Sequence, residues 1–501
     1  MSKRFTLSPV LAIDGYKAGH RQQYPDGTEY VYSNFTPRKS RISDTDKVVV
    51  FGLQYFLEEY LCRRFNEDFF AMPIGPVIDD YRLTMDEYLG PGAVPVDHIE
   101  ELHSLGYLPL RIKALAEGTL CPIKVPMLTI VNTLPQFFWL TNQLETIMSS
   151  ILWPGCTSAT TAYKYRKQFD RVNAACGIPA GFTKFQGHDF SFRGMMALEA
   201  ALLSGAGHLT SFAGTDTIPA IKFIQEYYPG DNGLIGCSVP ATEHSVMCMG
   251  GQDAEISTYR RLINEIYPKG IVSIVSDTWD FWSIVTTGVT ALKDDIMRRD
   301  GKVVIRPDSG DPVKVICGDL SAPEGSPEFK GAYRCLYEVF GGDTIQTDYG
   351  PLKRLDPHIG LIYGDSITRE RQVQIQSQLI GRGFCPDVIL GIGSFTYQFV
   401  TRDTFGFAMK ATWGQVNGEP REIFKDPKTD RGAEKKSAKG LVQVYHKTGR
   451  FSDDPVEICM VDQCTPEQEG EGLLRPVFID GVMHNRTSLA EIRQNLHGDT
   501  F

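Results

Sequence analysis

Apolar residues change their spacing partway along the chain. Over roughly the first 180 positions, short alternating runs ("EYVYSNF", "LRIKALAEG", "PMLTIVNT") are mixed with segments such as "GLQYFLEEYL" and "FFWLTNQLETIMSSIL", whose apolar positions recur three and four apart. Alternation predicts half-buried strands and the wider spacing predicts amphipathic helices, so residues 1–180 are expected to form an α+β region. From about residue 181 short apolar runs alternate with helical segments. "LTSF" precedes "TIPAIKFIQEYYP", "SIVS" precedes "TWDFWSIVTTGVTALKDDIM", and "VVI", "IGLIY" and "DVILGI" come after them. That rhythm predicts a βα series, an α/β unit over residues 181–402. Past residue 403, "GFAMKAT" reads as a strand again.

The residues directly after each run bear on chemistry. Asp216 comes after the first, Asp277 after the second, Arg306 and Asp308 after the third, Gly364 and Asp365 after the fourth, and Gly391-Ile392-Gly393-Ser394 after the fifth. In a parallel α/β barrel these positions converge on one mouth, where reactions are placed. Turn and capping chemistry also favours Gly and Asp after strands. Capping alone does not call for Arg306, nor for the pair Asp308 and Asp311 in "KVVIRPDSGDP".

Charge narrows the partners. The 501 residues carry a net charge of −10, which argues against a general nucleic-acid binder, so an anionic ligand needs a local basic pocket. One candidate is "REIFKDPKTDRGAEKKSAKG" at 421–440, with seven basic and four acidic residues. It reads either as a solvated loop or as a cationic flap over a polyphosphate. Eleven scattered cysteines without a C-x-x-C pair suit a reducing compartment. The first residues lack a secretory pattern and no run of 18 apolar residues occurs, so a cytoplasmic location is expected.

Among candidate groups, "GDS" at 364–366 and "GIGS" at 391–394 could cradle phosphate through backbone N–H groups, although neither is a nucleotide P-loop. Asp277 and Asp308 could hold ribose hydroxyls or Mg²⁺. Phe190 and Arg193, in "FQGHDFSFRG", suit an aromatic ligand beside a phosphate, or a core ring with a surface cation. His244, in "SVPATEHS", is either structural or a nucleophilic or proton-handling group.

The motifs "DGYK", "HDFSFRG", "GTDT", "CSVPATEHS", "VSDTWD", "IRPDSGDP", "YGDSIT", "GIGS" with "TRD", and "FKDP" occur in an order that resembles the nicotinate/nicotinamide phosphoribosyltransferase family, over about residues 8–490. The resemblance implies a type II phosphoribosyltransferase fold: an irregular α/β barrel over 181–402 and an α+β domain joining 1–180 to 403–501. It implies homodimers with interface active sites. The implied reaction moves the phosphoribosyl group of phosphoribosyl pyrophosphate to nicotinamide, giving nicotinamide mononucleotide for NAD salvage.

By the same resemblance, Phe190 and the partner subunit's Tyr16 would sandwich the pyridine ring. Asp216 would accept from the carboxamide NH₂ and Arg306 would donate to its oxygen. Asp308 would hold the ribose, and Asp277 with Asp308 would hold Mg²⁺. Gly364, Asp365, Gly393 and Ser394 would line the 5′-phosphate site, with Arg193, Arg402 and Lys410 around the phosphates and Arg38, Lys425 and Lys435 facing the polyphosphate. ATP would phosphorylate His244 and stimulate the transfer, with Ser238 and Ser273 as neighbours of the site. Asp216 favours nicotinamide over nicotinate, whose carboxylate it repels. A nicotinate-using enzyme and a non-catalytic barrel are the alternatives. The chain departs from the family pattern at Cys237, at Ser394 and Phe395, and at Leu441 in a slightly longer basic flap.

Overall fold

A computed structural model describes residues 5–364, 366–424, 438–447 and 457–498. These fall into two compact units. The first takes residues up to Thr160, Phe223–Asn232 and those from Val400 onward; the second takes Thr161–Lys222 and Gly233–Phe399. Where the sequence suggested divisions after 180 and 402, the helix Glu145–Cys176 instead runs unbroken through position 160. Its continuous helical spacing leaves nothing in the sequence to mark that division.

The first unit is built on a seven-stranded antiparallel sheet in the order Glu419–Glu422, Phe407–Val416, Thr28–Pro37, Leu128–Asn132, Leu110–Ala114, Arg475–Ile479, Val482–Met483. Three strands from the first part of the chain thus form the centre, flanked on each side by two strands from its last part, and Lys410 sits opposite Asn34. Leu441 opens the strand Leu441–Lys447 and is buried against Tyr32 and Val442, a position that suits an apolar side chain better than an arginine.

In the second unit, six parallel strands are found among the described residues: β1 (Gly187–Asp189), β2 (Gly214–Thr215), β3 (Lys269–Val275), β4 (Asp300–Arg306), β5 (Ile359–Tyr363) and β6 (Ile389–Ile392). Their order across the sheet is β2-β1-β6-β5-β4-β3. Their centres read as apolar runs because a parallel sheet is covered on both faces: Val303, Ile305, Leu390 and Ile392 are fully buried. Truncating one of these to Ala costs about 2–5 kcal/mol. Four of the expected runs are strands, but "LTSF" is not. The helix Leu198–Leu209 enters it, and the strand is the two residues after Ala213. β1 has no apolar run at all, since it is the three residues of "GHD".

One segment closes the sheet into a barrel. Cys237 N donates to Ala213 O at 2.7 Å and Thr215 N to Cys237 O at 3.0 Å along β2, while Ser273 N donates to Pro240 O at 2.9 Å and Thr242 N to Ser273 O at 3.0 Å along β3. Residues 237–242 thus satisfy both edges. Pro240 has no N–H, so they do so as isolated bridges rather than a regular strand, and the barrel is irregular.

Candidate active site at the barrel mouth

Because β1–β6 are parallel, their carboxyl ends share one face, and a cavity of about 380 Å³ opens there. Phe190, Arg193, Asp216, Arg306, Asp308, Gly364, Gly393 and Ser394 line it. These residues are spread over some 200 positions, and strand direction alone gathers them.

The junction after β4 shows how. Arg306 ends the strand, and its Nη2 donates to Thr242 O at 2.6 Å while Nε lies 3.7 Å from Asp308 Oδ1. Asp277 Oδ2 accepts from Asp308 N (2.9 Å), Ser309 N (2.8 Å) and Ser309 Oγ (2.5 Å), so the carboxylate after β3 shapes the loop after β4. Tyr363 OH donates to Gly310 O at 2.8 Å, and Gly310 has a φ of +93°, which lets the chain turn away. Asp311 then accepts from Val313 N and Lys314 N at the start of the helix Pro312–Cys317. The expected Asp308/Asp311 pair is therefore divided: Asp311 is a helix cap, and Asp308 faces the cavity. A β-carbon at Gly364 would fall 1.9 Å from Asp308 Oδ1, so a side chain there would displace that carboxylate.

On the opposite wall the Phe190 ring lies over Gly391, where a β-carbon would be 2.7 Å from Phe190 Cδ2. Asp216 Oδ1 accepts from Ser238 Oγ at 2.7 Å and lies 2.9 Å from His188 Nε2. Burial acts to raise the Asp216 pKa, but the His188 hydrogen bond and charge, the Ser238 hydroxyl and the Arg306 guanidinium outweigh it and hold the carboxyl below its usual range.

His244 begins the helix His244–Gly250 and is exposed, with Nδ1 3.0 Å from Thr278 Oγ1 and Nε2 3.8 Å from Asp277 Oδ1. That Asp277 oxygen is buried without a hydrogen-bond partner. Ser273 lies inside β3; its hydroxyl is buried without a hydrogen-bond partner, and its backbone holds the closing segment.

Other expected residues belong to the first unit. Tyr16 is 61% exposed, with the edge of His20 at 5.1 Å. Arg38 Nε donates to Gly406 O at 3.1 Å. Arg38 and Arg402 both act on Lys410, whose pKa is lowered first by burial and then by Arg38, Lys17 and Arg402, against the opposing pull of Glu145. Asp365, Lys425 and Lys435 lie outside the described residues.

Sequence reasoning passed over His188, Thr242 and Lys17, and assigned no role to Ser309. His188 stands two positions before Phe190, which directly follows β1, and Lys17 adjoins Tyr16 in "DGYK"; spacing could have found both.

A parallel α/β barrel with an aromatic wall, paired acids and glycine turns at its carboxyl mouth is the architecture of the type II phosphoribosyltransferases. Residues 185–493 match the model of the nicotinate phosphoribosyltransferase family, and residues 8–67 match that of the nicotinamide phosphoribosyltransferase N-terminal domain. The chain belongs to the nicotinate phosphoribosyltransferase family and is a pentosyltransferase.

A nicotinamide phosphoribosyltransferase of Acinetobacter baylyi is 50% identical over 504 aligned positions, covering 98% of this chain and 97% of that one. One of Mycoplasma pneumoniae is 33% identical over 88% of this chain and 97% of its own length. Among solved structures, a nicotinate-nucleotide pyrophosphorylase of Pyrococcus furiosus aligns with a TM-score of 0.56 at 14% identity, covering 99% of this chain and 97% of that one. Human nicotinic acid phosphoribosyltransferase gives 0.55 at 16%, covering 97% and 93%. At such identities these two share the fold.

Proposed function

We propose that this enzyme transfers the 5-phosphoribosyl group of phosphoribosyl pyrophosphate to nicotinamide. The bond from ribose C1 to the pyridine nitrogen forms as the bond from C1 to pyrophosphate breaks, giving nicotinamide mononucleotide and pyrophosphate in NAD salvage. The observation that carries this choice of base is Asp216, an ionised carboxylate in a cavity it shares with Phe190 and Arg306. A carboxamide offers that carboxylate an N–H and offers Arg306 an oxygen, whereas the carboxylate of nicotinate meets like charge. No general base is needed, because the pyridine nitrogen already carries a lone pair.

The charge that develops is oxocarbenium-like, so positioning and electrostatics supply most of the rate. Asp308 holds the ribose hydroxyls. Gly364, Gly393, Ser394 and Arg193 take the 5′-phosphate, and the cations Arg38, Arg402 and Lys410 serve the phosphates. Mg²⁺ fits this site: the buried Asp277 oxygen that lacks a hydrogen-bond partner and the carboxylate of Asp308 would hold it. Mg²⁺ takes its other ligands from water and substrate phosphate. When bound, Mg²⁺ offsets the charge on the departing pyrophosphate.

In this reading ATP phosphorylates the exposed imidazole of His244 and stimulates the transfer. The protein works as a homodimer in which the partner subunit's Tyr16 covers the pyridine. Exposed rings support such an interface: Phe395 and Phe399 are 60% and 81% exposed and stacked at 5.3 Å. A cytoplasmic location belongs to the same reading; among the described residues no helix is long and apolar enough to cross a membrane.

The test is incubation with labelled nicotinamide or nicotinate, phosphoribosyl pyrophosphate and Mg²⁺, with and without ATP, followed by product identification. Nicotinamide mononucleotide is expected as the main product, more of it with ATP. Faster turnover of nicotinate would overturn the choice of base.

A further inference from the structure

Two positions before Phe190, His188 is the middle residue of β1, in register with Gly214 of β2 and Gly391 of β6. It is 8% exposed. A side chain at Gly214 would bring a β-carbon within 2.8 Å of His188 Nδ1, so only glycine there leaves the imidazole its place. The Phe190 ring covers it, with centroids 4.5 Å apart and planes 30° apart. Clamped in this way, the imidazole has its Nε2 2.9 Å from Asp216 Oδ1, the oxygen that also accepts from Ser238 Oγ. One carboxylate oxygen is thus engaged from two sides, by β1 and by the closing segment. Among the described residues, no group donates to Asp216 Oδ2.

We infer that His188 is a positioning residue that sets base selectivity: by engaging Asp216 Oδ1 it presents Oδ2 to the ring substituent, so a carboxamide is taken and a carboxylate refused. The inference rests on the role of Asp216 proposed above. An imidazole N–H directed at a carboxylate does more than orient it. Burial acts to raise the Asp216 pKa, and the His188 hydrogen bond heads the contributions that oppose it. Without His188, Asp216 takes up a proton at higher pH. Once protonated, it donates to the carboxylate of nicotinate where the ionised form repelled it. The loss of selectivity must therefore grow as pH falls.

The charged and titratable groups around Asp216 are few. His188 faces it from β1 and Arg306 from the end of β4, with Asp308 beyond Arg306. Asp189, next to His188, directs its carboxylate to Ser191 and Thr215. Lys184 acts on Cys237, beside Ser238.

The experiment compares the wild type with His188→Phe and His188→Gln in the full-length enzyme, measuring kcat/KM for nicotinamide and for nicotinate from about pH 5.5 to 8.5. Phenylalanine keeps the ring stack without the donor, and glutamine restores an N–H donor. For His188→Phe the amide-to-acid ratio is expected to fall by about tenfold near neutral pH and by more at acid pH, an order of magnitude that fits a lost hydrogen bond to a charged group. His188→Gln is expected to keep the ratio within a few-fold of wild type. A flat, wild-type ratio in His188→Phe, or equal erosion in both variants, overturns the inference while the functional reading stands. A wild type that itself prefers nicotinate overturns both. Should His188→Phe not fold, Gly214→Ala, which crowds the imidazole from Nδ1, is expected to show the same acid-dependent erosion, and an unchanged ratio there overturns the inference.

Discussion

The barrel mouth and the basic group of the first unit handle charge in opposite ways. At the mouth, the acids arrive with donors already in place: Asp277 Oδ2 has three, and Asp216 Oδ1 has Ser238 with His188 beside it. In the first unit, Lys410 stands among like charges from Arg38, Lys17 and Arg402, and Glu145, ion-paired to Lys17 at 2.6 Å, is the acid that acts against them. The first arrangement is preorganised and gains little from more counter-charge. The second is electrostatically incomplete and gains from an anion. This difference suits a reaction whose sugar and base must be oriented and whose phosphates must be attracted.

The sharpest way to break the comparison is at the mouth. Asp308→Ala is expected to lower kcat/KM by at least about 10³-fold, the order seen when a preorganised transition-state contact is removed. The melting temperature should stay within a few degrees of wild type. The Asp308 side chain is 35% exposed, and the loop is held through its backbone N–H to Asp277, which alanine keeps. Steady-state kinetics and thermal melts check both halves. Activity within tenfold of wild type would mean that the reaction is centred elsewhere.

The two regions also differ in how far the sequence discloses them. Strand-end residues were legible because a parallel sheet turns a one-dimensional pattern, an apolar run followed by a polar residue, into spatial coincidence. Asp216, Arg306, Asp308, Gly364 and Ser394 line one cavity for that reason. The pattern fails where a strand is too short to carry it. "GHD" has no apolar run, so β1 went unseen and His188 with it. It fails again at Asp311, since a capping carboxylate and a cavity carboxylate look alike in one dimension. Antiparallel register is harder still, because nothing local says that Lys410 lies opposite Asn34, 376 positions away in a sheet built from both chain ends. Motif resemblance named Arg38, Arg402 and Lys410. Lys17 adjoins Tyr16 in the sequence, but that its charge acts on Lys410 is disclosed by the fold.

Lys410→Met sharpens the comparison from the other side. If the basic group serves phosphate, KM for phosphoribosyl pyrophosphate is expected to rise about tenfold, and its salt dependence to weaken, because a charge that added salt could screen is gone. KM for nicotinamide should stay within about twofold, since recognition of the base belongs to the mouth. Varying each substrate at two ionic strengths separates these outcomes. A rise in the nicotinamide KM instead would show that the group acts on the base.

The smallest effect is on stability, and it tests whether the contrast in charge extends to pH. Glu117, in the first unit, is fully enclosed; it accepts from Gly52 N (3.1 Å), Gln54 N (2.7 Å) and Tyr228 OH (2.9 Å). Burial outweighs these bonds and pushes its pKa up from 4.5 to about 7. Between those two values the folded chain keeps a proton that the unfolded chain has released, so the contribution to stability is present below about pH 4.5 and is lost as pH rises to about 7. Asp216, held below its usual range, has the opposite sign, its contribution being present at neutral pH and lost as pH falls through its lowered value. Glu117→Gln removes the first dependence and leaves the second. It also introduces a fixed offset, because an amide NH₂ at the Oε2 position no longer accepts from Gly52 N. The informative quantity is therefore the slope. From pH 7 down to 4.5 the wild type is expected to gain a few degrees in melting temperature relative to the variant, with kcat/KM at neutral pH within about twofold. A difference between the two that stays constant across that range would mean that Glu117 is ionised throughout, and that its three donors outweigh its burial.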